Sequence, residues 1–160
     1  MLTIRPAALA DVPLLRKLIW GLADYEKMPD EVEITEAQLA RDGFGPSPRF
    51  RSLIAEWHGE PAGFALFFGY YSTWKGSGIF LEDLFVRPDF RGHGIGTALL
   101  ARVARIAIEE DCVLMRWEVL RTLKSAVELY SKLGGEFLDE RRSVRLSGEA
   151  LRKLAERTSS

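Results

Sequence analysis

Three glycines at alternate positions, Gly92, Gly94 and Gly96, separate a strand-like run from a helix-like run in the stretch LEDLFVRPDFRGHGIGTALL, Leu81 to Leu100. A strand feeding a glycine turn at a helix start suits phosphate. The first main-chain N–H groups of a helix have no partner within it, and their partial positive charge attracts anions. Glycine admits a bulky pyrophosphate to the main chain where a Cβ would hold it off. The chemistry expected here is therefore capture of a phosphorylated cofactor. A P-loop would continue as Gly-Lys-Ser or Gly-Lys-Thr, yet Gly96 is followed by Thr97-Ala98, with no lysine for the terminal phosphates. A dinucleotide fold puts Gly-x-Gly-x-x-Gly directly after its first strand, whereas Arg87 to Arg91 intervene here and the spacing is Gly-x-Gly-x-Gly. His93 lies inside the loop, is expected to face solvent, and has no second ligand beside it, so no metal site is expected.

The elements that hold this stretch can be read in order. Thr3-Ile4-Arg5 reads as a first strand stopped by Pro6. Val12, Leu15, Leu18, Ile19 and Leu22 recur at helical spacing, predicting a helix that ends near Tyr25. Thr35 and Gln38 have the spacing of a capping box and open a second helix that ends at Asp42-Gly43. Phe50 to Trp57 and Ala62 to Tyr71 are strands, joined into an antiparallel hairpin by the turn His58 to Pro61. Ser72 to Gly78 is a connector that carries Trp74, and Ile79 to Val86 is the strand before the glycines. The helix beyond them carries Ile95, Leu99, Leu100, Val103 and Ile106 on one face. Cys112 to Val119 follows as a buried strand, then a helix from Lys124 to Leu133 with Gly134 as its stop. Two short strands around Glu136 to Leu138 and Ser143 to Leu146 precede a last helix, Ser147 to about Glu156, capped by Ser147. Thr158-Ser159-Ser160 reads as frayed. This order implies a mixed α/β sheet of about seven strands with flanking helices, in which a helical crossover makes strands 79–86 and 112–119 parallel.

The 160 residues suit one domain, 1–160, with its own core. A net charge of −1 and a pI near 6.2 lack the basic excess that nucleic-acid backbones call for, so no nucleic-acid partner is expected. Cys112 is the only cysteine, which excludes an intrachain disulfide and reads as a buried structural thiol. There is no signal-like N-terminus, and the longest apolar run, Ala62 to Tyr71, is too short to span a membrane. A cytoplasmic protein without a membrane partner is the expectation.

Arg91-Gly92-His93-Gly94-Ile95-Gly96 fits the pattern Arg/Gln-x-x-Gly-x-Gly/Ala. With the strand before it, Glu128-Leu129-Tyr130 after it and the element order above, the chain resembles the GCN5-related N-acetyltransferase (GNAT) family over nearly its whole length. Blocks outside the cofactor motif, Ala23-Asp24-Tyr25-Glu26, Leu39 to Gly45, Tyr71 to Gly76 and Leu81-Glu82-Asp83, are similar to the diamine acetyltransferases, the spermidine/spermine type and its thialysine-acetylating relatives.

The resemblance implies acetyl transfer from acetyl-CoA to a primary amine of a small cationic acceptor: a diamine, a polyamine or an amino acid with a side-chain amine. It assigns the main chain of Leu84, Phe85 and Val86 to the acetyl-pantetheine arm, and Arg91 to Thr97 (Arg91, Gly92, His93, Gly94, Ile95, Gly96, Thr97) to the pyrophosphate. Tyr25, Glu26, Trp74, Glu82 and Asp83 have the chemistry of a cationic-amine site, since carboxylates pair with ammonium groups and aromatic faces attract them. The amine must lose a proton before attack, and the family places a base at Glu82. Because adjacent strand residues point to opposite faces, only one of Glu82 and Asp83 is expected to face the acetyl group. A backbone N–H of Leu84 to Val86 would meet the developing oxyanion if the strand is locally bulged. Tyr130 matches the family's general acid for the departing thiolate. Many members carry Asn at the position of Leu123, which leaves backbone, Lys124 or Ser125 to make that cofactor contact. Ser72 stands where the polyamine enzymes have an acid, which argues for a shorter acceptor, with Glu118 as a partial replacement. The resemblance also implies a homodimer, with Ser143 to Glu156 at its contacts. Two alternatives stay open: a protein amino group or an aminoglycoside as acceptor, and a non-catalytic coenzyme-A-binding sensor.

Overall fold

The computed structural model describes residues 1–157, so the frayed end expected at Thr158-Ser159-Ser160 lies outside the described residues. The chain divides into two compact units, Met1–Glu118 and Val119–Ser160.

The first unit runs β1 (Leu2–Pro6), α1 (Val12–Tyr25), α2 (Glu36–Phe44), β2 (Arg51–Trp57), β3 (Glu60–Ser72), β4 (Gly76–Val86), α3 (Ile95–Glu109) and β5 (Leu114–Trp117). The strands form one sheet in the order β1-β2-β3-β4-β5. The first four are antiparallel neighbours, and β5 lies parallel to β4 after the α3 crossover. Local chemistry explains the joints. His58 (φ 50°) and Gly59 (φ 84°) both take positive φ, which matches a tight hairpin to the twist of β2 and β3. Thr35 Oγ1 accepts from the Gln38 N–H at 3.1 Å while Gln38 Oε1 accepts from the Thr35 N–H at 2.9 Å, so the expected capping box forms and starts α2.

Each face of the sheet is covered. Leu15 and Leu18 of α1 pack on Ile54, Phe64, Leu66 and Phe85. The opposite face carries Phe67, with the Arg51 guanidinium 5.0 Å over its ring; Arg51 in turn pairs with Glu110 at the end of α3, which sets α3 on that side. Phe64 and Phe67 are both fully buried, one on each face, and each contributes about 1.5–3 kcal/mol by leaving water. Arg5 ties β1 to the entry of α1: its guanidinium donates to both carboxylate oxygens of Asp11, at 2.7 and 3.0 Å, and to Glu56 at 3.0 Å. That pairing holds the Asp11 carboxyl below its usual range, against a smaller upward push from burial.

The second unit contains α4 (Lys124–Lys132) and α5 (Gly148–Ala155). Gly134 takes φ 90°, a left-handed stop after α4 that few other residues adopt without strain. Ser147 precedes α5 in extended conformation, though its side chain makes no cap bond.

Three expectations need correction. Among the described residues the sheet has five strands, because 136–138 and 143–146 form no ladder. An isolated pair of such short runs, joined through Asp139 to Arg142, has too little hydrophobic face to stand as a hairpin by itself. β5 covers only Leu114–Trp117, and its residues are half-buried because it is the sheet's edge. Cys112 accordingly sits just outside the strand as a half-buried free thiol, not in the core.

Candidate active site

The site is built on β4, and the decisive feature is a bulge. Asp83 is opposite Leu66 of β3, but the next pair along β3 is Phe67 with Leu81, so Glu82 is an extra residue in the ladder. Leu66 belongs to the α1 face of the sheet and Phe67 to the α3 face. Asp83 therefore stands on the α1 face and Leu81 on the α3 face. Glu82, next to Leu81, also turns to the α1 side. The expectation that adjacent Glu82 and Asp83 point to opposite faces is overturned, since the inserted residue puts both carboxylates on one side.

The electrostatics agree with that placement. Burial raises the Asp83 carboxyl to about 7, helped by the charges of Glu82 and Glu26. Glu82, the more exposed of the pair, is also raised, first by desolvation and then by Glu118. Glu26 ends α1 and is raised by burial alone. Glu118 follows β5, one residue past the Leu81–Trp117 pairing, which puts it level with Glu82. Four acids from three elements thus converge on one face, an arrangement suited to an ammonium group.

β5 pairs with β4 only over Gly78 to Leu81. From Glu82 to Val86 the side of β4 away from β3 has no strand partner among the described residues, so the groups that point there, apart from the Val86 carbonyl that accepts from Arg91, are open to an extended ligand with amides of its own. Phe85 sends its side chain into the core at 5% exposure, and because the Arg87 N–H donates to the Ala62 carbonyl, the Phe85 main chain faces β3 and the groups turned to the open side are those of Leu84 and Val86. Leu84, opposite Ala65, and Val86, opposite Gly63, lie on the α3 face.

After Val86 a short 3₁₀ turn, Pro88–Phe90, leads to the glycine loop. Gly92 and Gly94 take φ of 85° and 73°, and a Cβ at either would meet open space. Gly94 caps α3 without a side-chain bond, and Ala98 N–H to Gly94 C=O closes its first turn, which leaves the preceding N–H groups of Ile95, Gly96 and Thr97 for a ligand. The open cradle, the left-handed glycines and the helix start fit a diphosphate. Gly96 differs: its φ is not left-handed and a Cβ there would touch Val86 Cγ2 at an ordinary 3.6 Å, so neither backbone nor packing demands glycine at this position. His93 is exposed, as expected, and stacks on Trp57 with ring centroids 4.5 Å apart.

Arg91 donates from Nε to the Val86 carbonyl at 3.0 Å, and its guanidinium carbon stands 4.2 Å over the Tyr25 ring. The cofactor loop and the end of α1 are thereby joined. Trp74 is elsewhere: it occupies the β3–β4 turn at 83% exposure, and β4 puts about 20 Å between that turn and Glu82. Within one chain it does not join Tyr25 and Glu26. Sequence reasoning passed over Tyr70 and Arg116, whose hydroxyl and guanidinium meet at 3.0 Å on the face that carries Glu82; the signal available was the alternation of Arg116 and Glu118 in an otherwise apolar strand.

In the second unit, Leu123 precedes α4 and contributes no cap bond, while Lys124 and Ser125 are exposed in its first turn. Tyr130 lies in the last turns of α4, half-buried, and burial raises its phenol above the ordinary value. It therefore stays protonated at neutral pH, the state of a proton donor.

No group of acids, histidines and cysteines that could hold a metal exists among the described residues, nor is any helix among them long and apolar enough to cross a membrane.

Comparison with known proteins gives a consistent answer. The chain is 42% identical over 163 residues to a thialysine N-epsilon-acetyltransferase of Bos taurus, covering 95% of this chain and 96% of that protein. Its fold matches an integron cassette protein from the mobile metagenome of V. cholerae with a TM-score of 0.78 at 26% identity, covering 97% and 98% of the two chains. It also matches the fold of an aminoglycoside N-acetyltransferase solved with CoA, TM-score 0.72 at 22% identity, over 93% and 95%. The profile of the Acetyltransferase (GNAT) family matches residues 15–135, and with the bulged β4, the open strand edge and the glycine cradle already described, the chain is a member of that family.

Proposed function

We propose that this protein moves an acetyl group from acetyl-CoA to the primary amine of a small cationic acceptor, an amino acid with a side-chain amine or a short diamine. The observation that carries the reading is the bulge at Glu82, which puts two carboxylates on one face directly beside an open strand edge. The thialysine-acetylating relative supports the acceptor class. The matched span 15–135 crosses from the first unit into the second, which supports treating both as one catalytic domain.

When bound, acetyl-CoA supplies an acetyl group activated as a thioester. Residues 92 to 97 hold its diphosphate at the start of α3, with Arg91 beside them and Lys124 and Ser125 contributing from α4. The main chain of Leu84 to Val86 aligns the extended arm, and an N–H on that edge donates to the oxygen that gains charge. Asp83 and Glu26 attract the ammonium group, Tyr25 offers it an aromatic face, and Glu82 takes its proton. A carboxylate raised by burial is a better base than one in water, because its pKa lies nearer the operating pH. Glu118 supplies the negative charge that Ser72 does not. Tyr130 protonates the leaving sulfur. The enzyme acts in the cytoplasm as a homodimer, without nucleic-acid or membrane partners; the apolar side chains of Leu151 and Leu154, half-exposed on α5, support that association.

The test is release of free thiol from acetyl-CoA with a panel of diamines, polyamines, lysine analogues and peptides. Turnover confined to small amines is the expected result. Binding of CoA without thiol release for any acceptor overturns the proposal in favour of a sensor.

A further inference from the structure

The face of the sheet that carries the four acids also carries a cation close to them. Arg116 of β5 is the partner of Phe80 on β4, which places it two residue steps from Glu82 on the same face. Its Nη1 donates to the Tyr70 hydroxyl at 3.0 Å, and its guanidinium carbon lies 5.8 Å from the Tyr70 ring centroid. Phe80, stacked on Phe68 at 5.4 Å and tilted against Tyr70 at 6.2 Å, forms an apolar wall on β4 beside this cation, two residues before Glu82. Arg5, Arg41 and Arg51 each pair with a carboxylate, whereas half-buried Arg116 has no carboxylate within 4.0 Å among the described residues. A partly desolvated guanidinium without a counter-ion is costly, and its planar fork of five donors matches a carboxylate.

We infer that Arg116, held by Tyr70, binds the carboxylate of an amino-acid acceptor whose side-chain amine lies at Glu82 and Asp83. The inference rests on the acceptor reading proposed above and narrows it. The spacing agrees: two strand steps along β4 and one step between strands set Arg116 and Glu82 about 8 Å apart, and the five bonds from Cα to the terminal nitrogen of a lysine-like side chain span about 6 Å when extended, with the carboxylate a further bond beyond Cα. The signs agree as well. A polyamine would bring positive charge toward Arg116 and be disfavoured, whereas a zwitterionic amino acid meets acids at one end and a base at the other. The apolar wall fits the methylene stem between the two charged ends.

The experiment compares kcat/KM for L-lysine and for 1,5-diaminopentane, which is lysine without its carboxylate, in the wild type, Arg116→Met, Arg116→Lys and Tyr70→Phe, with thermal unfolding to establish that each variant is folded. The wild type should favour lysine. Arg116→Met should shift the lysine-to-diamine ratio at least tenfold toward the diamine, Arg116→Lys should retain part of the preference, and Tyr70→Phe should shift the ratio severalfold. Equal loss for both acceptors marks Arg116 as a scaffold residue and overturns the inference, as does an unchanged ratio or a wild-type preference for the diamine. A wild type that acetylates neither small amine, while transferring to peptides or to nothing, removes the underlying acceptor reading and this inference with it.

Discussion

The guanidinium of Arg91 lies 4.2 Å over the ring of Tyr25, so one contact joins the anion-binding loop to the end of α1, where Glu26 contributes to the acceptor face. Tyr25 thus holds Arg91, a residue of the proposed cofactor loop, in place. Tyr25→Ala should weaken CoA binding about two- to fivefold by calorimetry, the scale of an exposed cation–π contact, and Tyr25→Phe should recover most of it. An Ala variant with wild-type affinity would show that Arg91 is held by Val86 alone.

Asp83 ties activity to pH. With its carboxyl raised to about 7, the free enzyme loses a negative charge from the acceptor site as pH falls through that value. The kcat/KM for a cationic acceptor should therefore drop below about pH 7, and Asp83→Asn should abolish that inflection while raising KM. Stability should move in the opposite direction. The folded protein keeps the Asp83 proton to about pH 7, whereas the unfolded chain releases it near 3.9, so this group lowers stability as pH rises between those values. Urea unfolding at pH 5 and pH 8 should show the drop in the wild type and not in Asp83→Asn.

Tyr130→Phe should lower kcat by about a hundredfold, in the range of a lost general acid, with CoA affinity changed less than twofold. A rate unaltered across pH would remove Tyr130 from the proton-donating role.

Gly94 holds φ 73° at the start of α3, so Gly94→Val should reduce stability by roughly 1–2 kcal/mol from the left-handed backbone and weaken CoA binding further. Chemical denaturation and calorimetry report the two effects separately. Retained affinity would mean that the loop does not cradle the diphosphate.

Asp11→Ala, which strands Arg5 and leaves the Ala8 N–H without its acceptor, should destabilise by about 1.5–3 kcal/mol at neutral pH. Because the Asp11 carboxyl is held below its usual range, its contribution is complete above the unfolded value and fades as pH falls through the folded one. Denaturant midpoints for the variant and wild type should converge as pH falls below the ordinary carboxylate range.

Much of this molecule could be read from residue order. The periodicity of Leu15 and Leu18 in α1 and of Leu99 and Val103 in α3, the Thr35–Gln38 box and the glycine turn all act locally, so a short window of sequence contains their cause. The bulge at Glu82 leaves no such mark. An extra residue in a strand is visible only against the partner strand, and Glu82-Asp83 alone reads as ordinary alternation. Trp74 was grouped with Tyr25 and Glu26 by chemistry, but the length of β4 carries its turn away from them. The strands expected at 136–138 and 143–146 lacked the one thing a sequence does not display, a neighbour to pair with.

The bulge has an evolutionary corollary. Loss of one residue between Leu81 and Leu84 would restore simple alternation in the ladder while leaving Leu84 opposite Ala65 and Phe85 opposite Phe64. The core would be untouched, but one of the two carboxylates would go with the bulge. A lineage could therefore shorten β4 by one residue, keep the sheet and the glycine loop, and still lose the paired acids: the extra residue serves the site and not the fold.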